Sequence, residues 1–226
     1  MGSNVLEQVK DEMPVLTKLA DLHHIEVRSV LPSLTYICLS TMLAGTSLSS
    51  HGIADLDTLA EAARSLRLDR LFDSVRGEGQ KTLLAVHERD VRGVPVSQFA
   101  DRTILAKEPN DAEIYKSVSE EARLHWPRFM FVHLLEIDEA GHEYGPYSQE
   151  VKAAATRMNS QLRVLLASLT GLDYAIMLLA DHGMHPASGV LGENDQLGVH
   201  DGSVEEDLAV SLIWGSSEEI KQVLSV

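Results

Sequence analysis

Four short apolar runs set the pattern of the chain. Residues 82–86 read Thr-Leu-Leu-Ala-Val, 129–135 read Phe-Met-Phe-Val-His-Leu-Leu, 174–180 read Tyr-Ala-Ile-Met-Leu-Leu-Ala, and 208–214 read Leu-Ala-Val-Ser-Leu-Ile-Trp. Runs that stay apolar, rather than alternating with polar residues, predict strands in a sheet covered on both faces. Helical periodicity lies between them. Val151, Ala155, Met158, Leu162, Leu165 and Leu169 recur at steps of three and four and make one helix face. Asn110 followed by Glu113 is a helix start, with Ile114, Val118 and Ala122 behind it. Leu56, Leu59, Ala60, Ala63 and Leu66 form a further apolar face. Strand alternating with helix predicts an α/β fold: a mostly parallel central sheet with helices on both faces. No repeat, low-complexity stretch or Pro/Gly-rich linker divides the chain, so residues 1–226 read as one domain. In such sheets ligands sit at the carboxyl ends of the strands, and chemistry is sought there.

Composition narrows the partners. The chain has 226 residues, 44% hydrophobic and 23% charged, with a formal net charge of −15. That balance suits a globular domain with a real core. The acidic surface repels nucleic acid and anionic membrane. It leaves a phosphate substrate open, because bound metal ions reverse the local field. Cys38 is the only cysteine, so no intrachain disulfide forms and a reducing compartment is expected. No apolar run approaches the roughly 20 residues that span a bilayer, and no signal-peptide pattern opens the chain. The expectation is a cytoplasmic protein with no membrane segment and with its oligomeric state left open.

Three motifs flank the predicted strands. After the run at 129–135 come Asp138 and His142, four residues apart with Gly141 between them. Carboxylate oxygen and imidazole nitrogen are both zinc ligands; a polar loop is the competing reading. After the run at 174–180 come Asp181-His182-Gly183-Met184. Adjacent Asp and His side chains diverge and can reach two ions, whereas an Asp cap beside a surface His is the alternative. Before the run at 208–214 stands Gly198-Val199-His200-Asp201-Gly202, where glycines let the backbone approach a site closely.

Taken together and in this order, Asp-x-x-x-His, Asp-His-Gly and Gly-x-His resemble the metal-ligand set of the alkaline phosphatase superfamily. The wording is most similar to its type I phosphodiesterase and nucleotide pyrophosphatase branch, with the PglZ-type phosphatase-like proteins as near relatives. The resemblance implies two divalent ions, zinc in the first reading and manganese as the alternative. Asp138, His142 and His200 would hold one, and Asp181 and His182 would belong to the second. The family also needs a nucleophile. Pro32-Ser33-Leu34-Thr35, an apolar run to Ala44-Gly45, then Ser50-His51-Gly52-Ile53 resembles that segment. On this match Thr35 is the nucleophile, activated by a bound metal, with Ser33 second. Thr35 would open a helix whose N-terminal N–H groups favour a phosphate; an ordinary helix cap is the competing reading.

The match has departures. The family's first strand ends in Asp-Gly, and that Asp binds the second metal. Residues 1–12 contain no hydrophobic strand, and nothing β-like leads into Asp11. The resemblance therefore runs from about residue 13 onward, N-terminally incomplete relative to the family. Cys38-Leu39-Ser40 lacks the proline of the sulfatase pattern C/S-x-P-x-R, and Cys38 reads as a small buried residue. His133 reads as a hydrogen-bonded core residue and His185 as a possible substrate contact, while His23, His24, His51, His87 and His125 default to surface or loop positions. The implied function is hydrolysis of phosphodiester or nucleotide pyrophosphate bonds in a small phosphate-ester or nucleotide substrate. Two rivals stand beside it: a noncatalytic metal-binding member acting as a binding or regulatory module, and an ordinary α/β domain that matches by coincidence.

Overall fold

The computed structural model describes residues 1–64, 70–92, 94, 96–187 and 196–225. Along the chain run α1 (Ser3–Gln8), α2 (Pro14–Ala20), β1 (His24–Arg28), α3 (Thr35–Ala44), α4 (Leu48–His51), α5 (Leu56–Arg64), α6 (Arg70–Gly77), β2 (Thr82–His87) and β3 (Arg102–Ala106). There follow α7 (Ala112–His125), β4 (Phe129–Val132), α8 (Glu136–Tyr144), α9 (Gln149–Gly171), β5 (Ile176–Leu179), β6 (His185–Pro186), β7 (Gly198–Val199), β8 (Ala209–Gly215) and α10 (Ser217–Leu224). These elements fall into two compact units, Leu34–Leu134 and Met1–Ser33 with Leu135–Val226.

In the unit Leu34–Leu134 the sheet is parallel, ordered β3-β2-β4. All six residues of β2 are buried, as its continuous apolar run requires of a central strand. Leu84 and Val86 join Phe72, Leu59, Ala60, Ile53 and Leu43 in one core, and Phe129 meets Phe72 edge-on at 5.3 Å. On the alternate side of β2, α7 buries Ile114, Val118 and Ala122 completely. Helices thus cover both faces of this sheet. Asn110 opens α7 by accepting from the Ala112 N–H at 3.2 Å, and Pro127 follows its end, where a helix cannot continue. Of the face predicted on α5, Leu59 and Ala60 are buried; Leu66 and the Ala63 side chain lie outside the described residues. Cys38 is buried in α3, as expected.

Two histidines depart from the expected surface position. His87 ends the buried strand β2 and is itself buried, with Nε2 2.9 Å from Asp111 Oδ1. His51 is buried between the Thr41 hydroxyl at 3.0 Å and the Ile53 N–H at 3.1 Å. A polar partner in each case offsets the desolvation that makes burial of an imidazole costly. His133 behaves as a hydrogen-bonded residue, 2.9 Å from Asp90 Oδ2.

In the other unit the sheet is ordered β1-β8-β5, with β8 antiparallel to both neighbours. The parallel strands of this α/β fold are therefore β2, β3 and β4. Edge strand β5 alternates in exposure, with Met177 67% and Leu179 40% exposed, so its apolar run is not fully covered. The long helix α9 buries Val151, Ala155, Leu162, Leu165 and Leu169 as its period predicts, and Ser148 caps it by accepting from the Val151 N–H. Helices α2 and α10 pack against α9. A capping box of Ser216 and Glu219 starts α10. No helix among the described residues is long and apolar enough to cross a membrane.

Candidate active site

Helix α8 carries Asp138 and His142 one turn apart, so both side chains stand on one face. The motif is helical rather than a loop. Beyond β5 the chain passes through Asp181 and His182 into β6, which pairs antiparallel with β7, His185 opposite Val199. That two-residue ladder delivers His200 beside His182, with their rings stacked at 3.7 Å and 18°.

The glycines of the motifs are places of close approach. A Cβ on Gly141 would sit 2.5 Å from Met184 Sδ, and one on Gly198 would sit 2.6 Å from the same sulfur. A Cβ on Gly183 would overlap the Glu206 carbonyl oxygen. Met184, the residue after Asp-His-Gly, is thus the plug between α8 and β7; a Cβ at Gly183 or Gly198 would also meet backbone, at the Glu206 and Gly141 carbonyl oxygens, and force the ligand-bearing segments apart.

Three imidazoles are held in the same way. His142 Nδ1 donates to the Gly198 carbonyl at 2.8 Å, His200 Nδ1 to the Ser33 carbonyl at 2.7 Å, and His182 Nδ1 to the Gly183 carbonyl at 3.0 Å. A carbonyl oxygen only accepts, so each Nδ1 carries hydrogen and each neutral ring turns a lone pair outward on Nε2. Those atoms converge. His142 Nε2 lies 3.0 Å from His200 Nε2 and 3.3 Å from Asp138 Oδ2, and His200 Nε2 lies 3.8 Å from Asp138 Oδ1. His182 Nε2 is 3.1 Å from Asp181 Oδ2. Ligand atoms of Asp138, His182 and His200 all fall within 4.8 Å of one another.

Lone pairs facing each other at such distances repel unless positive charge lies among them. A shared proton meets that need, and a divalent cation meets it more fully. Imidazole and carboxylate donors, with backbone acceptors fixing the imidazoles from behind, fit a metal such as zinc. The titration directions show how closely the charges of the cluster act on one another. Burial pushes the Asp138 carboxyl upward, but the hydrogen bond from His142 and the charges of His182 and His200 hold it well below the usual carboxylate range. Burial lowers His142 and His182, yet Asp138 and Asp181 respectively raise both above the ordinary imidazole value. His200 is lowered, by burial first and by His182 next.

The residues singled out from sequence divide as follows. Asp138, His142, Asp181, His182 and His200 belong to one unit, and the contacts above link Asp138 with all three imidazoles. Thr35 is the first residue of α3, in the other unit, two positions along the chain from Ser33. Leu34 is the N-cap, so Thr35 is not an ordinary cap. Ser33 is fully buried; its hydroxyl donates to the His200 carbonyl at 3.2 Å and its own carbonyl anchors the His200 ring. His185 Nδ1 is held by Asp207 at 2.8 Å. Asp11 is exposed in a turn after α1, and residues 1–12 form helix and turn rather than a strand. Sequence reading missed Asp207 and the three carbonyl acceptors. Main-chain acceptors leave no residue-type signal.

The profile of the type I phosphodiesterase / nucleotide pyrophosphatase family matches residues 1–66 and 84–223. The chain belongs to this family. Among its relatives, ectonucleotide pyrophosphatase/phosphodiesterase family member 1 of Rattus norvegicus is 29% identical over 199 residues, 78% of this chain and 22% of the relative. The venom phosphodiesterase of Macrovipera lebetinus is 27% identical over 209 residues, 81% of this chain and 24% of the relative. The chain thus spans about a quarter of the length of the curated relatives it matches. Among solved structures, murine ectonucleotide pyrophosphatase/phosphodiesterase 5 superposes with a TM-score of 0.68 at 17% identity, covering 83% of this chain and 56% of that one. Phosphonoacetate hydrolase from Sinorhizobium meliloti gives 0.64 at 18% identity, covering 82% and 54%. At these identities the likeness is one of fold. An inactive threonine-to-alanine variant of the murine protein was solved in complex with AMP; it superposes with a TM-score of 0.66 at 18% identity, covering 82% of this chain and 55% of that one.

Proposed function

We propose that this family member hydrolyses phosphodiester or nucleotide pyrophosphate bonds with two divalent metal ions and Thr35 as nucleophile. The observation that carries the reading is the common tethering of His142, His182 and His200, which turns every Nε2 away from its carbonyl acceptor and gathers lone pairs around the Asp138 carboxylate. Asp138, His142 and His200 would hold one ion, and Asp181 and His182 the second. Bound there, the ions would supply positive charge against the phosphoryl oxygens and lower the pKa of coordinated oxygen. Thr35 then acts at phosphorus. The Thr35 Oγ–P bond forms as the ester P–O bond breaks, the hydroxyl proton passes to solvent, and the leaving oxygen takes a proton from water. Water next breaks the Oγ–P bond and restores the hydroxyl. Thr35 stands at the N-terminal end of α3, whose dipole favours a phosphate there. AMP in the related murine structure favours a nucleotide as the first substrate to try.

A second reading is a noncatalytic member holding one ion. It is favoured by the Asp181–His182 contact at 3.1 Å, which engages the two proposed second-site ligands with each other, and by the convergence of Asp138, His182 and His200 around one point. Zinc content and turnover of bis(p-nitrophenyl) phosphate, measured on the same zinc-loaded chain, separate the two. The first reading predicts two ions per chain and turnover that falls by at least about 10³-fold in Thr35→Ala with zinc retained. One ion and no turnover would establish the second. Undiminished turnover in Thr35→Ala would remove Thr35 from its role.

A further inference from the structure

Taking the imidazole cluster as a metal centre, as proposed above, we infer that Asp207 is a positioning residue that keys the two ligand-bearing segments to each other. It lies outside every motif identified in the sequence, in a run of acids, Glu205-Glu206-Asp207, that would ordinarily be solvated. Instead Asp207 is fully buried, at 0% exposure. Three groups are fastened to it. Its main-chain carbonyl accepts from the Gly183 N–H at 2.7 Å, one residue beyond His182. Its Oδ2 accepts from the Gly202 N–H at 2.8 Å, two residues beyond His200. Its Oδ1 accepts from His185 Nδ1 at 2.8 Å, three residues beyond His182.

The segments also meet through the two-residue β6–β7 ladder, which the Ala187 N–H extends to the Leu197 carbonyl at 2.9 Å, and through the His182–His200 stack. A buried carboxylate suits the fastening because it only accepts and offers both oxygens at once. An amide of the same shape keeps one acceptor and aims its NH2 at the other donor, leaving buried donors opposed. The geometry at Gly202 adds a constraint. Its φ of +83° suits glycine, and a Cβ there would run into Leu31, so its N–H is directed at Asp207 by backbone path. His185, Asp201 and Asp207 also stand close enough together to suggest a cation site. However, both oxygens of Asp207 already receive N–H donors, and Asp201 accepts from the Ser203 N–H at 2.8 Å. The cluster is a fastener.

A partner bonded directly to a ligand is worth about 10- to 100-fold in metal affinity; Asp207 is bonded to the segments that carry His182 and His200, so the lower end of that range applies. The test is zinc competition against a chromophoric chelator, together with the visible spectrum of the cobalt-substituted chain and the melting temperature. Asp207→Asn is expected to weaken zinc about tenfold and to shift the cobalt bands, whereas Leu162→Val, a buried change on α9, lowers the melting temperature with zinc affinity unchanged. His185→Ala, which removes one arm at a part-exposed position, should weaken zinc by a smaller factor and serves if Asp207→Asn does not fold. Zinc affinity in Asp207→Asn, or in its stead His185→Ala, within twofold of a zinc-binding wild type would overturn the inference. Equal weakening by Leu162→Val would do the same. A wild-type chain that takes up no zinc would overturn the metal reading itself and carry this inference with it.

Discussion

Gly183→Ala tests the packing argument at its tightest point. The added methyl would overlap the Glu206 carbonyl oxygen, lie 2.9 Å from the carbonyl carbon and stand 3.2 Å from Asp207 Cα. All three are backbone atoms, so no flexible side chain can swing aside. Relieving the overlap requires the Asp181–Gly183 segment and the Glu205–Asp207 turn to separate by on the order of 1 Å. Overpacking of this kind costs about 1–3 kcal/mol, and the rigid partner places this case near the upper end. For a chain of this length each kcal/mol lowers the melting temperature by about 2–4 °C, so a drop of roughly 6–12 °C is expected. The same displacement moves His182, and misplacement by about 1 Å can cost on the order of 10²-fold in rate. Thermal unfolding followed by circular dichroism, with turnover beside it, reads both effects. Gly171→Ala is the control: no atom beyond its chain neighbours and the backbone of its own helix lies within 4 Å of a Cβ there, and its stability should not fall by more than about 0.5 kcal/mol. A Gly183→Ala protein that melts with wild type and keeps its turnover would refute the close-packing account of the motif glycines.

Leu84→Ala, at a buried position of β2 against Phe72 and Leu59, is expected to cost about 2–5 kcal/mol in urea unfolding; a change under 1 kcal/mol would contradict the assigned core. Glu219 gives a pH prediction. The Ser216 backbone N–H, then His23 and the Ser216 hydroxyl, hold its carboxyl down to about 2 from an ordinary 4.5. A depressed carboxyl adds stability that is complete above the unfolded value and fades as pH falls from about 4.5 toward 2. Glu219→Gln should flatten the fall in stability across that window, and an unchanged slope in unfolding experiments from pH 6 to 3 would count against the capping box.

Much of this structure was written in patterns a reader of sequence can use. The runs at 82–86, 129–135, 174–180 and 208–214 each contain a strand, because an apolar stretch bounded by turn residues has few other uses. The candidate ligands were legible as three motifs in a fixed order, although the resemblance assigned His182 to a second ion and the structure gathers its ligand atom with those of Asp138 and His200. Strand direction was not legible: nothing in the composition of β8 says that it runs against β1 and β5. Nor was the burial of His87 or Asp207. His87 is partnered by Asp111, and Asp207 by His185 and the Gly202 and Gly183 N–H groups, none of which periodicity reveals. Thr35 was read as a helix start and is one; the extended backbone ends at Leu34, which is the N-cap, so Thr35 is already helical.

The tethers on His142, His182 and His200 all end on peptide oxygens, at Gly198, Gly183 and Ser33. The proton location on those rings is therefore inherited from the route of the polypeptide, and the acceptor's side chain matters only through that route, as at Gly183 and Gly198, where a Cβ would not fit. Replacing Ser33 can disturb its hydroxyl contact without changing the tautomer of His200. Only a rerouted loop, or exchange of the peptide oxygen itself, would rewrite it.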